Sequence, residues 1–244
     1  MKILVTESQY RKILSEEKEQ KVLHIPSLKI FSGDWDLLQK FLKHRGNPPY
    51  SFGGNLNLRH TEIESLGNLT SVGGALELQF TPIESLGNLE SVGGVLSLEG
   101  TPIKSLGNLK SVGGYLNLQF TPIESLGNLT SVENSLNLKN TPIESLGNLT
   151  SVENSLDLYG TPIQSLGNLT SVGGDLDLRK TQIKSLGNLE SVGEDFYLQL
   201  TSIESLGNLK SVGGNLDLRG TPLSKMYTRE QIRQMVDVGD VIFM

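Results

Sequence analysis

Residues 121–140 read TPIESLGNLTSVENSLNLKN, and residues 141–160 read TPIESLGNLTSVENSLDLYG. The opening stretch from Thr121 to Asn128 returns letter for letter at Thr141 to Asn148. Worked outward from this pair, a period of 20 residues holds from Thr61 to Gly220 without insertion or deletion, making eight full copies. A half copy, SFGGNLNLRH, leads in at residue 51. A fixed period of this length marks a stacked repeat architecture, and it governs every later reading of the chain.

Each copy follows T-x-[IL]-x-S-L-G-N-L-x-S-V-x-x-x-L-x-L-x-x, numbered here as positions 1–20 with Thr61 at position 1. In the first copy the apolar residues are Ile63, Leu66, Leu69, Val72, Leu76 and Leu78. Only L-x-L has the alternation of a strand; the other intervals suit tight bends that turn one apolar group inward at a time. Gly67 and Asn68 in mid-coil oppose a helix. A single coil cannot bury its own faces, so coils must stack, and equal lengths stack in register. The prediction is a mainly-β repeat solenoid with one parallel sheet of about nine short L-x-L strands. Within it, Asn68, Asn88, Asn108 and their equivalents are expected to form an amide ladder. Thr61 to Thr221 should satisfy a turn amide. Gly67 and its equivalents call for a positive φ or a close backbone approach. The second residue of Gly73-Gly74, which becomes Asn134, Asn154 and Glu194 elsewhere, is expected to be left-handed.

The string L-x-x-L-x-x-V-x-x-x-L-x-L-x-x-T-x-I resembles the leucine-rich repeat, L-x-x-L-x-L-x-x-N-x-L, and its period is most similar to the short bacterial class. The resemblance covers roughly residues 50–223. It implies a right-handed, curved solenoid whose parallel sheet lines the concave side and binds partners. Two departures, Thr for Asn and V-x-x-x-L for L-x-x-L, leave open a straighter β-helix similar to the L domains of receptor ectodomains. The termini, MKILVTESQY and TPLSKMYTREQIRQMVDV, resemble those of repeat proteins from tailed phages and environmental bacteria, which implies such an origin.

Composition narrows the function classes. The 244 residues carry a net charge of −6 and no cysteine, which removes disulfides, thiolate metal sites and a Cys nucleophile. Acidity argues against binding duplex nucleic acid. The first twenty residues show no secretory signal, and no run approaches the roughly 18 apolar residues of a membrane span. The expected setting is the cytoplasm of a bacterium or phage-infected host cell, with a virion as the alternative.

The ends read as caps. Residues 1–24 form an N-terminal arm in which Val5, Thr6, Gln9 and Tyr10 suggest a staple and capping box before a charged helix. Residues 25–53 form an N-terminal cap, with Asp34 opening a helix that turns Trp35, Leu38, Phe41 and Leu42 to one side and stops at Gly46. The repeats occupy 54–223. Residues 224–244 form a C-terminal cap in which Thr228 and Gln231 make a capping box, Ile232, Met235 and Val236 point inward, and DVIFM forms a terminal strand.

The copies differ in two places. Positions 4 and 10 use only Glu, Lys, Gln or Thr and read as solvated surface. The residues flanking L-x-L draw on small, aromatic, acidic, basic and amide side chains, the breadth that recognition needs. They alternate with the buried leucines and point off the open sheet face. The candidate partner-binding residues are Ala75, Glu77, Gln79, Phe80, Val95, Tyr115, Asn117, Gln119, Phe120, Asn137, Lys139, Asp157, Tyr159, Asp175, Asp177, Arg179, Lys180, Tyr197, Asp217 and Arg219. Phe80, Tyr115 and Phe120 are expected to form an apolar patch. Asp157, Asp175, Asp177, Asp195 and Asp217 should make an acidic area beside Arg179, Lys180 and Arg219. The face sums to −2, which argues against a nucleic-acid groove.

No nucleotide-binding, zinc-protease or triad-like constellation surrounds His24, His44 or His60. A flat ladder of aspartates lacks the converging oxygens that calcium needs. The expectation is a non-enzymatic binding module for a protein partner, without cofactor, metal, nucleic acid or membrane. The rival is a structural rod or assembly component with no ligand on the sheet face.

Overall fold

A computed structural model describes residues 22–244; the helix expected near the N-terminus lies in residues 1–21, outside them. The repeats form the stacked solenoid that their period requires, but each coil contributes two strands rather than one. Position 11–12 pairs, from Ser71-Val72 to Ser211-Val212, run through a parallel sheet of 11 strands. Leu23–Ile25 and Tyr50–Phe52 begin that sheet and Asp237–Val238 ends it. The L-x segments, Leu56–Asn57 to Leu216–Asp217, make a second parallel sheet of 10 strands that ends in Ile242–Phe243. Neighbours in both sheets pair at matching repeat positions, Ser131 with Ser151 and Leu136 with Leu156.

The single-sheet expectation fails because a two-residue strand has no room for alternation. Ser-Val is a strand only because its backbone bonds to the coils on either side, as in Glu90 N–H to Thr70 O (2.8 Å) and Gly93 N–H to Val72 O (2.8 Å). Two continuous sheets share one strand repeat of ~4.8 Å, so coils cannot fan apart between those two sides.

The third side, positions 1–6, behaves differently. Bridges join Ser105 to Ser125, Ser145 to Ser165 and Ser185 to Ser205, so this side closes coil by coil in pairs. Backbone bonds follow the same pairing, with Glu124 N–H reaching Lys104 O, Gln164 reaching Glu144 and Glu204 reaching Lys184, each at 2.9 Å. Charge at position 4 agrees in part. Lys104 and Glu124 face each other across a closed step (3.6 Å), whereas like-charged Glu124 and Glu144 flank an open one. Bonding between coils is thus intermittent on this side and continuous in the two sheets.

Inside lies one aliphatic core. Leu66, Leu69, Val72, Leu76 and Leu78 and their equivalents are buried, with Phe196 replacing a leucine, while Ile63 in the first coil is only partly covered. The position-1 threonines from Thr81 onward are buried as well. Each hydroxyl from Thr61 to Thr221 donates to the Leu carbonyl three residues earlier at 2.6–2.9 Å. The partner is therefore a carbonyl and not the expected turn amide. The asparagine ladder is limited to the first three coils, where Asn68 Nδ2 donates to Asn47 O (2.6 Å), Asn88 Nδ2 to Asn68 Oδ1 (3.3 Å) and Asn108 Nδ2 to Gly87 O (3.4 Å).

Glycine serves two separate needs. At position 7 all eight adopt φ between +57° and +61°, and a Ser Oγ two residues earlier accepts each of their N–H groups at 3.0–3.2 Å. The position 13–14 pair is not left-handed, contrary to expectation. A Cβ on Gly193 or Gly213 would collide with the carbonyl oxygen of the coil before, although Glu133 and Glu153 stand at the same position in other coils.

Both caps form. In helix α1, Trp35–His44, Asp34 Oδ1 accepts the Leu37 N–H (2.9 Å), and Trp35, Leu38 and Leu42 are buried. Phe41 is partly covered and pairs with Phe31 (centroids 5.2 Å). Tyr50 joins cap to repeats by donating to Leu66 O at 2.7 Å. At the far end a short helix α2, Leu223–Met226, precedes α3, Arg229–Met235, whose capping box between Thr228 and Gln231 is complete. Ile232 and Val236 are buried, but Met235 is exposed, contrary to expectation. The C-terminal tail gives two strands, one extending each sheet.

Candidate functional site: the repeat face and its rim

The second sheet, the corner before it and the corner after it hold all of the residues singled out from sequence. Register brings position 17 into one column, in which Glu77, Ser97, Asn117, Asn137, Asp157, Asp177, Tyr197 and Asp217 are successive neighbours. Strands at this spacing shield one another's side chains. Ala75, Glu77, Gln79, Tyr115, Asn117, Gln119, Asn137, Lys139, Asp157, Tyr159, Asp175, Arg179 and Tyr197 are half-buried. Asp177 and Asp217 are buried, contrary to the expectation that every one of these groups faces solvent. Phe80, Val95, Phe120, Lys180 and Arg219 are exposed.

Much of the variety has a local structural reason. At position 17, an Asn or Asp Oδ1 accepts the backbone N–H two residues on, at 2.9–3.3 Å, in the coils of Asn57, Asn117, Asn137, Asp157, Asp177 and Asp217. These Asx turns set up the corner that ends the strand. At position 15 a side-chain oxygen accepts the position-15 N–H of the next coil. Asn55, Ser135, Ser155, Asp175, Asp195 and Asn215 do so at 2.8–3.3 Å. Ala75, Val95 and Tyr115 interrupt that ladder with three consecutive groups that have no such acceptor. Asn and Asp thus recur because strand-to-corner geometry uses them.

The expected acidic area is largely neutralised from within. Arg179 Nε reaches both carboxylate oxygens of Asp177 at 2.9 and 3.0 Å, and Arg219 does the same to Asp217 at 3.0 and 3.1 Å. Asp195 accepts the Asn215 backbone N–H (2.8 Å) and the Tyr197 hydroxyl (2.8 Å), and these bonds hold its carboxyl below the usual range. The same contact with Asp195 pushes the Tyr197 hydroxyl up to about 12. Burial pushes the Asp157 carboxyl up despite the cations of Lys139 and Arg179 nearby.

The expected patch of Phe80, Tyr115 and Phe120 does not assemble as a ring cluster: among the described residues no ring pair joins them. Tyr115 stands just before its strand, whereas the phenylalanines stand at the corner that follows theirs. Phe80 stacks on His60 (centroids 5.2 Å, interplanar angle 13°) and lies over Gly100, where an added Cβ would come within 2.6 Å of the ring.

Sequence reasoning picked out Phe80, Phe120 and Lys180 in that corner, position 20, but not its backbone conformation. Every residue in it is left-handed: His60, Phe80, Phe120, Asn140, Lys180 and Leu200 have φ of 56–60°, while Gly100, Gly160 and Gly220 have 68–73°. For a bulky L-residue this conformation costs about 1–2 kcal/mol. Phe80, Phe120 and Leu200 nevertheless occupy it and remain 54%, 58% and 63% exposed. A signal for the corner was present in the letters, because glycine recurs at every third copy. In each case the preceding coil's side chain, Phe80, Asn140 or Leu200, leans onto the glycine.

Among the described residues no group of His, Asp or Glu is placed to hold a metal ion, and no helix is long and apolar enough to cross a membrane. No family model, curated protein or solved structure matches the chain.

Proposed function

We propose that this chain is a non-enzymatic, protein-binding module of leucine-rich-repeat kind that meets its partner with the repeat face and, above all, with the rim formed by positions 19 and 20. One observation carries the reading. Exposed Phe80 and Phe120 stand in a left-handed corner where three sister coils use glycine. Such a placement costs conformational energy and exposes apolar surface, and side chains of this kind are the usual anchors of protein interfaces. The buried threonine row presents no regular hydroxyl surface that would favour a different ligand. The setting we assign is the cytoplasm of a bacterium or of a phage-infected cell.

The test compares the wild-type chain with the double variant Phe80→Ser/Phe120→Ser as baits in extract of the native host. Proteins retained by the first and lost by the second, with both baits melting alike, support the reading. Identical retention profiles overturn it in favour of a rod or spacer that carries no ligand on this face.

A further inference from the structure

Farther along the same rim, three cations gather on one aromatic ring. Lys139 Nζ lies 5.1 Å from the Tyr159 ring centroid, Lys180 Nζ 5.0 Å and the Arg179 guanidinium carbon 5.4 Å. Lys139, Tyr159 and Arg179 are successive occupants of position 19, so the ring is placed between two cations by register alone. Arg179 is satisfied by Asp177. Lys139 and Lys180 have no carboxylate within 4 Å among the described residues. The Asp157 carboxylate, which accepts the Tyr159 backbone N–H (2.9 Å), and that of Asp177 leave the three cations with a net local charge of about +1. Between the lysine-bearing coils stands Gly160, against which the Asn140 side chain leans.

The ring attracts each ammonium weakly and neither is held by an ion pair, so an anion that both can reach would improve the arrangement. The chain as a whole is acidic. Beyond a Debye length of ~8 Å its other charges are screened, so the attraction is confined to this spot.

The apolar and cationic features lie on one line. Phe80 and Phe120 flank Gly100, Lys139 and Lys180 flank Tyr159-Gly160, and the two centres are three coils apart. At ~4.8 Å per coil that is roughly 14 Å, a distance that an extended peptide covers in about four residues. We infer that the rim binds an extended acidic segment of a partner protein lying along the stack. A large apolar side chain of that segment rests against Phe80 and Phe120, and a carboxylate about four residues away reaches Lys139 and Lys180. The inference rests on the protein-binding reading above and adds the chemistry of the ligand.

The experiment pans a random 12-residue peptide display library on the immobilised full-length chain. The enriched peptides are then measured by fluorescence polarisation against wild type, Lys139→Glu/Lys180→Glu and Phe80→Ser/Phe120→Ser. Enriched peptides should share a large apolar residue and an Asp or Glu about four positions apart. Their affinity should fall at least tenfold in either variant while thermal melting stays unchanged. Replacing the peptide acid with Lys should restore binding to the Lys139→Glu/Lys180→Glu variant and to no other. Enriched peptides that lack an acid, or that ignore the lysine substitutions, overturn this inference and leave the protein-binding reading standing. No enrichment over an unrelated repeat protein also overturns it, and the reading of the face is then decided by the host-extract comparison alone.

Discussion

Each coil has two left-handed corners, and they are built by opposite rules. Position 7 is glycine in all eight copies, whereas position 20 is glycine in three and otherwise His, Phe, Asn, Lys or Leu at nearly the same φ. The backbone dihedral alone therefore does not dictate glycine. At alternate coils position 7 also meets a neighbour: a Cβ on Gly127 would lie 2.5 Å from Gly107 O, and one on Gly167 2.6 Å from Gly147 O. Position 20 has a neighbouring side chain, where it has anything, and side chains can move. One corner is held by packing between coils and the other is free to carry chemistry at the expense of strain.

The comparison can be broken most forcefully at position 7. Gly127→Ala combines a left-handed L-residue with a backbone collision and should cost about 2–5 kcal/mol. Gly107→Ala, which has φ +57° and nothing within 4 Å of its added Cβ, should cost only about 1–2 kcal/mol. Urea unfolding midpoints measure both, and equal losses would show that conformation alone sets the glycine.

A smaller effect distinguishes how the two corners are clamped. Thr141→Val removes a buried hydroxyl that donates to Leu138 O, just after the position-20 corner, and should cost about 1 kcal/mol. Ser125→Ala removes the exposed acceptor of the Gly127 N–H and should cost a few tenths, roughly, since water takes its place. The same denaturation series reads both, and a larger loss for Ser125→Ala would reverse the assignment of which clamp matters.

No loss of stability is expected at Phe120→Gly. Relief of left-handed strain is offset by the greater chain entropy of unfolded glycine, leaving a change between about zero and 1 kcal/mol in favour of folding. Binding of the enriched peptides should nonetheless be lost. A clear drop in the melting midpoint would mean that Phe120 holds the coil together and is not there for a partner.

The stack and its caps were legible because they depend on recurrence and on local capping chemistry: the 20-residue period, Asp34 before Trp35, Thr228 with Gln231. The Ser-Val strands were not, because two residues carry no alternation and become a strand only through bonds to other coils. The flanks of L-x-L were located correctly, but their chemical breadth overstated recognition, since Asn and Asp at position 17 close an Asx turn and Asp177 and Asp217 are matched to their own arginines. Left-handedness at position 20 was hidden because Phe, Lys and Leu do not advertise it. The periodic glycines at 100, 160 and 220 did, at a spacing longer than one copy.

The seam of positions 1–6 closes coils in twos, while the rim places its glycine by threes. Copies this alike invite replication slippage, which adds or drops whole twenty-residue units. Loss of one unit would shift both rhythms along the stack. Two units would preserve the seam and three the rim, and only six would respect both rhythms at once.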